Sequence, residues 1–164
     1  MILAVDPGNV ESAYCVIDKT NYKPIEFGKM ENEKLRKKMA KDLKMYPIDN
    51  FAIEMIASYG MPVGKEVFET CVWIGRFMET FKCKNTYYIY RKEEKINLCG
   101  SMKAKDSNIR QALIDRFARF DFKNGKGTKS NQDFFYGFSK DVWSAYAVGI
   151  TWLDKQEKNE KELF

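Results

Sequence analysis

Three carboxylates stand where chain segments begin or end. Asp6 closes the apolar run Ile2–Val5, Glu54 closes Asn50–Ile53, and Asp141 opens an amphipathic stretch that reaches Asp154. If the first and fourth apolar runs are neighbouring strands, Asp6 and Glu54 lie side by side, and a helix starting at Asp141 can pack across the same edge. A buried carboxylate cluster repels itself and calls for cations. Hard divalent ions such as Mg²⁺ take oxygen ligands, often a few carboxylates plus a substrate phosphate. Two such ions about 4 Å apart activate a water and stabilise the leaving oxygen of a phosphodiester. Each acid alone has a plainer reading as well. Asp6-Pro7-Gly8 is a common turn, and Asp141 suits a helix N-terminus.

The rest of the composition narrows the chemistry. The chain has no histidine, which excludes a Ser-His-Asp triad, a Cys-His pair, His-ligated zinc and any imidazole acid or base. Its four cysteines, Cys15, Cys71, Cys83 and Cys99, contain no Cys-x-x-Cys, so no structural zinc is expected. Cys15 and Cys71 fall within apolar patterns and are expected to be buried thiols. Catalysis is left to carboxylates, hydroxyls, lysines or a bound metal.

At 164 residues a single domain spanning residues 1–164 is the default. A hydrophobic content of 45% and an aromatic content of 15% exclude a disordered chain. No apolar run approaches the roughly 20 residues of a membrane-spanning helix. Asp6 comes too early for a secretory signal, so a cytoplasmic protein is expected.

The elements that must position the acids follow from periodicity and turn residues. Ile2–Val5, Ala13–Ile17 and Pro24–Phe27, separated by Asp6-Pro7-Gly8-Asn9 and ended by Gly28, read as a three-stranded meander. A helix is expected over Glu31–Lys44, with Leu35, Met39 and Leu43 as its buried stripe and lysines on the remainder; Pro47 lies beyond its end. Asn50–Ile53 is a fourth strand. A helix from about Val63 to Phe81 carries Val67, Cys71, Ile74 and Met78 on one face, and Thr86–Tyr90 alternates as a fifth strand. A charged segment, Arg91–Lys95, and Gly100 complete that unit. Ala104–Phe120 reads as a helix with Ile109, Leu113 and Phe117 aligned. Phe122–Ser139 breaks the pattern, and its polar start, Lys123–Lys129, predicts a flexible loop. Asp141–Asp154 is the last helix, with Ala145, Val148 and Trp152 on one stripe, and the charged tail is expected to fray. This order predicts an α/β fold with a mixed sheet and helices on both faces.

Here the residues carry a resemblance. Ile2-Leu3-Ala4-Val5-Asp6-Pro7-Gly8 looks like the opening strand of the RuvC family of Holliday-junction resolvases. Phe51-Ala52-Ile53-Glu54 resembles that family's second acidic strand, which a long helix follows. Asp141–Thr151 resembles its last acidic helix. The opening motif alone is weak, because actin-like ATPases share an Asp-x-Gly strand. The three blocks in the family's order, across nearly the whole chain, are specific, and the variant motifs look like the phage-borne branch. The resemblance implies an RNase H-like mixed five-stranded sheet flanked by helices, a homodimer, and Mg²⁺-dependent nicking of two strands at a four-way DNA junction, with Mn²⁺ as a substitute. It implies metal-ligand roles for Asp6, Glu54 and Asp141. For a phage-encoded chain, the site of action is the bacterial host cytoplasm. The family commonly carries a further acid three residues after the last one; Ser144 occupies that position here and supplies no carboxylate.

The same resemblance marks two basic residues and an aromatic one. Lys95 matches a lysine near the scissile phosphate and would act in catalysis, and Lys105 resembles a second basic position. Tyr59, in the loop after Glu54, is offset by two residues from an aromatic that stacks at the junction centre. The two lysines have a plain reading as solvated surface residues, and Tyr59 as a partly buried loop tyrosine. Lys123, Lys126 and Lys129 offer further phosphate contacts or form a linker. Phe134, Phe135, Tyr136, Phe138 and Trp143 are expected in the core or at a dimer contact rather than on DNA. The leading expectation is a junction-resolving endonuclease. The alternatives are a nuclease of RNA or other branched duplexes and a junction-binding protein disabled at Ser144.

Overall fold

In the computed structural model, which describes residues 1–162, strands β1 (Ile2–Asp6) and β4 (Asn50–Met55) are apolar on both faces, as strands in the middle of a covered sheet must be. Three further strands, β2 (Glu11–Ile17), β3 (Pro24–Glu31) and β5 (Asn85–Tyr90), complete a sheet of order β3-β2-β1-β4-β5. The first three strands form the antiparallel meander, while β4 and β5 run parallel to β1. Five helices flank it: α1 (Asn32–Ala40), α2 (Lys65–Thr80), α3 (Arg91–Cys99), α4 (Asp106–Phe117) and α5 (Lys140–Glu162).

Alternation along β1 splits the core into two layers. Ile2 and Ala4 face α4 and α5, together with Cys15, Ile17, Leu113, Tyr146 and Val148. Leu3 and Val5 face the opposite layer, where Leu35, Met39, Ile74 and Phe77 of α1 and α2 pack. The last helix lies unusually close to the sheet. A Cβ on Gly149 would meet Ile17 Cδ1 at 2.4 Å and Ala4 Cβ at 3.0 Å. Only glycine lets α5 settle directly on β1 and β2.

Several boundaries differ from the sequence expectations. Gly28 does not end β3; it sits opposite Tyr14, whose ring lies over the space a Cβ would take. The strand therefore runs on to Glu31, and the helix begins at Asn32. That helix breaks at Lys41 into a short 3-10 turn, Asp42–Met45, which still buries Leu43. The buried stripe of α2 is Thr70, Ile74 and Phe77, so Val67, Cys71 and Met78 flank it and Cys71 is only half-buried. Arg91–Cys99 is helical rather than merely charged.

The segment after α4 is ordered, contrary to the expected flexible loop. The Asp133 carboxylate accepts from the backbone N–H groups of Arg119, Phe120 and Phe134. Phe135 N–H donates to the Gly125 carbonyl at 3.0 Å, which drives Phe135 and Phe138 into the core as expected of those aromatics. The tail does not fray at Asp154. There α5 continues to Glu162, because Asp154 takes a bidentate pair from Arg116 at 2.7 Å, and Lys155 pairs with Glu93. Residues 163 and 164 of that tail lie outside the described residues. No described helix is long and apolar enough to cross a membrane.

The close approach of α5 predicts a specific sensitivity. Gly149→Val should cost about 1–3 kcal/mol by urea unfolding, because the strand backbone under Ala4 cannot yield. An unchanged midpoint would mean that α5 rides further from the sheet than described.

Candidate active site

A single row of side chains crosses the α5 face of the sheet: Lys29, Ala13, Asp6, Glu54 and Ile89. The register pairs Lys29 with Ala13, Ala13 with Asp6, and Glu54 with Ile89. Val5 lies opposite Ile53 on the parallel β1–β4 pair, so Asp6 and Glu54 are neighbours one step further along. They occupy the carboxyl ends of parallel strands, where open α/β sheets gather ligand-binding groups. The turn after Asp6 is held by buried polar contacts. Asn32 Nδ2 donates to the Gly8 carbonyl at 2.8 Å, and Ser12 Oγ donates to Asn32 Oδ1 at 2.6 Å. A Cβ on Gly8 would lie 2.3 Å from the Glu11 carbonyl oxygen, so the turn admits no other residue.

The two strand acids are close enough to act directly on each other's proton affinity. Burial, then the charge and hydrogen bond of Glu54, push the Asp6 carboxyl up to about 8; the Arg91 guanidinium opposes this. Glu54 is also raised, by burial, with Arg91 again pulling the other way. A third acid joins them from α3. Glu94 is fully buried and raised well above the usual carboxylate range by burial and then by the charge of Glu54. Its Oε2 accepts from Arg91 Nη1 at 2.6 Å, while its Oε1 has no hydrogen-bond partner among the described residues. Arg91 also pairs with Asp106 at the start of α4.

Asp141 stands across a cleft from this pair, lined by Asp6, Gly8, Glu11, Lys29 and Asp141. Its carboxylate is 36% exposed and lies 2.8 Å from Lys29 Nζ, which also reaches Glu11 at 3.1 Å. Behind Asp141 is a pocket of about 60 Å³ lined by Arg91, Asp106, Arg110, Lys140 and Ser144. Among the described residues no three acids or thiols close into a metal cage. Two of these acids are paired with the chain's own cations, Asp141 with Lys29 and Glu94 with Arg91. The donor set still suits a hard divalent cation. It is all oxygen, it includes an orphaned buried carboxylate oxygen, and it retains a proton on Asp6 that a cation would replace.

The structure thus brings Asp6 and Glu54 together and sets Asp141 nearby. Lys95 is half-buried on α3, close enough to Asp106 to lower that carboxyl's proton affinity. Lys105 is exposed at the start of α4, where its backbone N–H donates to Asn108. Tyr59 is 68% exposed on the loop after β4, with a left-handed φ of 47°. Sequence reasoning missed Arg91, Glu94, Lys29 and Asn32. The helix bearing Arg91 and Glu94 had two legible signals: Glu93, whose carboxylate accepts from Tyr90 N–H at 2.7 Å, and Gly100 in the left-handed conformation that ends it.

The shared proton gives the stability of the metal-free chain a pH dependence. A carboxyl raised in the folded state binds its proton more tightly there than in the unfolded chain. Folding is therefore favoured at low pH and loses that advantage as the pH climbs from the ordinary carboxylate range toward 8. In chelator, Asp6 should contribute a fall of about 2 kcal/mol in stability between about pH 6 and pH 8. Asp6→Asn should remove most of that slope in urea titrations. A slope undiminished by the substitution would assign the proton elsewhere.

No protein-family model matches the chain, and no relative was found among curated proteins. Solved structures do match. RuvC of Thermus thermophilus superposes with a TM-score of 0.68 at 10% identity, covering 96% of each chain. The T. thermophilus RuvC in complex with a Holliday junction substrate gives 0.66 at 10% identity, over 92% of this chain and 90% of that one. The fowlpox virus Holliday junction resolvase gives 0.53 at 22% identity, over 94% and 98%. The five-stranded mixed sheet, its order and its flanking helices are accordingly the RNase H-like fold in the form that RuvC adopts.

Proposed function

We propose that this chain is a divalent-metal-dependent endonuclease that nicks branched DNA and resolves four-way junctions. The observation that carries this reading is the pair Asp6–Glu54, set side by side by the β1–β4 register at the carboxyl edge of the sheet, with Asp141 across the cleft from Asp6. The fold's likeness to a RuvC solved with a Holliday junction supports the choice of substrate.

Asp6, Glu54 and Asp141 are the residues that would hold the cation, Mg²⁺ by preference and Mn²⁺ as a substitute. When bound, such an ion supplies Lewis acidity at the phosphodiester and counter-charge for the leaving oxygen. The chain's own groups do the remainder. Binding a phosphate at the cleft gives Lys29 and Arg91 an alternative anion and releases Asp141 from its ion pair. Lys95 and Lys105 extend the basic surface along α3 and α4, neutralising neighbouring phosphates. Tyr59, exposed on the loop that follows β4, offers a stacking face worth about 1–3 kcal/mol to an opened base. The setting is the cytoplasm, where such DNA is found.

Two symmetric nicks call for two copies. The outer face of α2 carries the exposed apolar side chains Phe68 and Val72 one turn apart, with open space over Gly75. Such a face suits an isologous helix contact between two copies of this chain.

A synthetic four-way junction, a flap, a linear duplex and an RNA duplex, each with Mg²⁺, Mn²⁺ or chelator, test the activity. Paired, metal-dependent nicks near the branch point are expected on the junction. Asp6→Asn, Glu54→Gln and Asp141→Asn should each bind the junction and lose about a hundredfold or more in nicking. Undiminished nicking would remove that residue from the site. Equal cutting of every branched form would widen the substrate class. Tight junction binding with no product in either metal would make this a binding protein. Phe68→Glu with Val72→Glu should shift the chain from dimer to monomer by analytical ultracentrifugation; an unchanged mass would exclude α2 as the contact.

A further inference from the structure

The position that Ser144 occupies on α5 carries no carboxylate, yet the cluster is not short of acids. We propose that Glu94 is the fourth carboxylate of the cation-binding cluster, delivered by α3 in place of an acid at Ser144. The proposal rests on the reading that Asp6 and Glu54 hold a divalent cation.

Four observations carry it. First, β5 ends opposite the end of β4, with Met55 paired to Tyr90, so α3 starts at the same sheet edge as the strand acids. Second, Glu94 is fully buried although the residues beside it in sequence are not. Third, it lies near enough to Glu54 and Asp6 for the charge of both to act on it, although it is shielded from solvent. Fourth, only one of its oxygens is used: Oε2 takes the Arg91 hydrogen bond, and Oε1 is buried without a partner.

A residue serving only to hold Arg91 would not need this placement. Asp106 already pairs with Arg91 from a more exposed position. Burying a carboxylate oxygen with no donor, beside two other acids, is costly in any metal-free state. A hard cation removes that cost, because its affinity rises with the number of negatively charged oxygens around it. Ser144 lines the pocket that also contains Arg91, so an α5 acid and an α3 acid would approach the same region from different helices.

Mn²⁺ binding to the purified full chain, followed by the loss of the free-ion electron paramagnetic resonance signal, provides the test without relying on cleavage. The wild type should bind Mn²⁺, and Asp6→Asn should abolish most of that binding. Glu94→Gln, which keeps the shape and the Arg91 contact, should weaken Mn²⁺ about tenfold or more. It should also unfold at higher temperature than the wild type in chelator, since an unpaired buried acid has been removed. Glu94→Asp should retain more Mn²⁺ affinity than Glu94→Gln. If Glu94→Gln binds Mn²⁺ as the wild type does while Asp6→Asn does not, the proposal fails and the function proposed above stands. If the wild type itself binds no Mn²⁺, both fall.

Discussion

Like charges forced together on adjacent strands are the constraint to which the rest of this molecule answers. Asp6 and Glu54 cannot separate, because the β1–β4 register sets them side by side and both point under α5. Water cannot screen them well there. The fold resolves the repulsion by letting one acid keep a proton and by drawing cations inward. Arg91 reaches in from α3, and Lys29 from the neighbouring edge strand. The small residue Ala13 between Lys29 and Asp6 leaves the row open to α5 above it. Gly149 lets α5 pack close over Ala4 and Ile17, and Gly8 lets the chain turn tightly against Glu11 just after Asp6.

The counter-ions are also what make the site responsive. An arginine and a lysine that neutralise carboxylates are the groups a phosphate backbone would recruit. On the proposed function, carboxylate and phosphate would compete for the same two side chains. Their ion pairs are partly exposed, so little stability is lost when they exchange partners. That is a sounder basis for a switchable site than a deeply sealed one. The fully buried Glu94 is the exception, and it is the group least able to change partners without a cation.

Much of this was legible in the residues. Strands ending in Asp6 and Glu54, the meander, and the helix opened by Asp141 follow from apolar runs cut by turn residues, and their neighbour relation follows from the sheet that those runs imply. What escaped is equally specific. The segment Arg91–Cys99 buries a glutamate where a periodicity argument looks for an apolar residue, so the helix lacks a visible stripe. Gly28 reads as a stop but lies in a strand because Tyr14 needs the room. The loop before α5 reads as a linker because its order comes from one carboxylate, Asp133, and from aromatics that pack only once the fold exists. Tertiary demands overrode local propensity in each case.

The far end of α5 is stitched to α3 and α4: Asp154 binds Arg116 and Asn97, and Lys155 binds Glu93. These contacts tie α3, α4 and α5 to one another, while α5 is also packed on the sheet that carries Asp6 and Glu54. The acidic cleft is carried partly by these helices and partly by the sheet. The spacing between Asp141 on α5 and Arg91 on α3 is thus tied to contacts at Asp154, a residue that lines neither the cleft nor the pocket behind it.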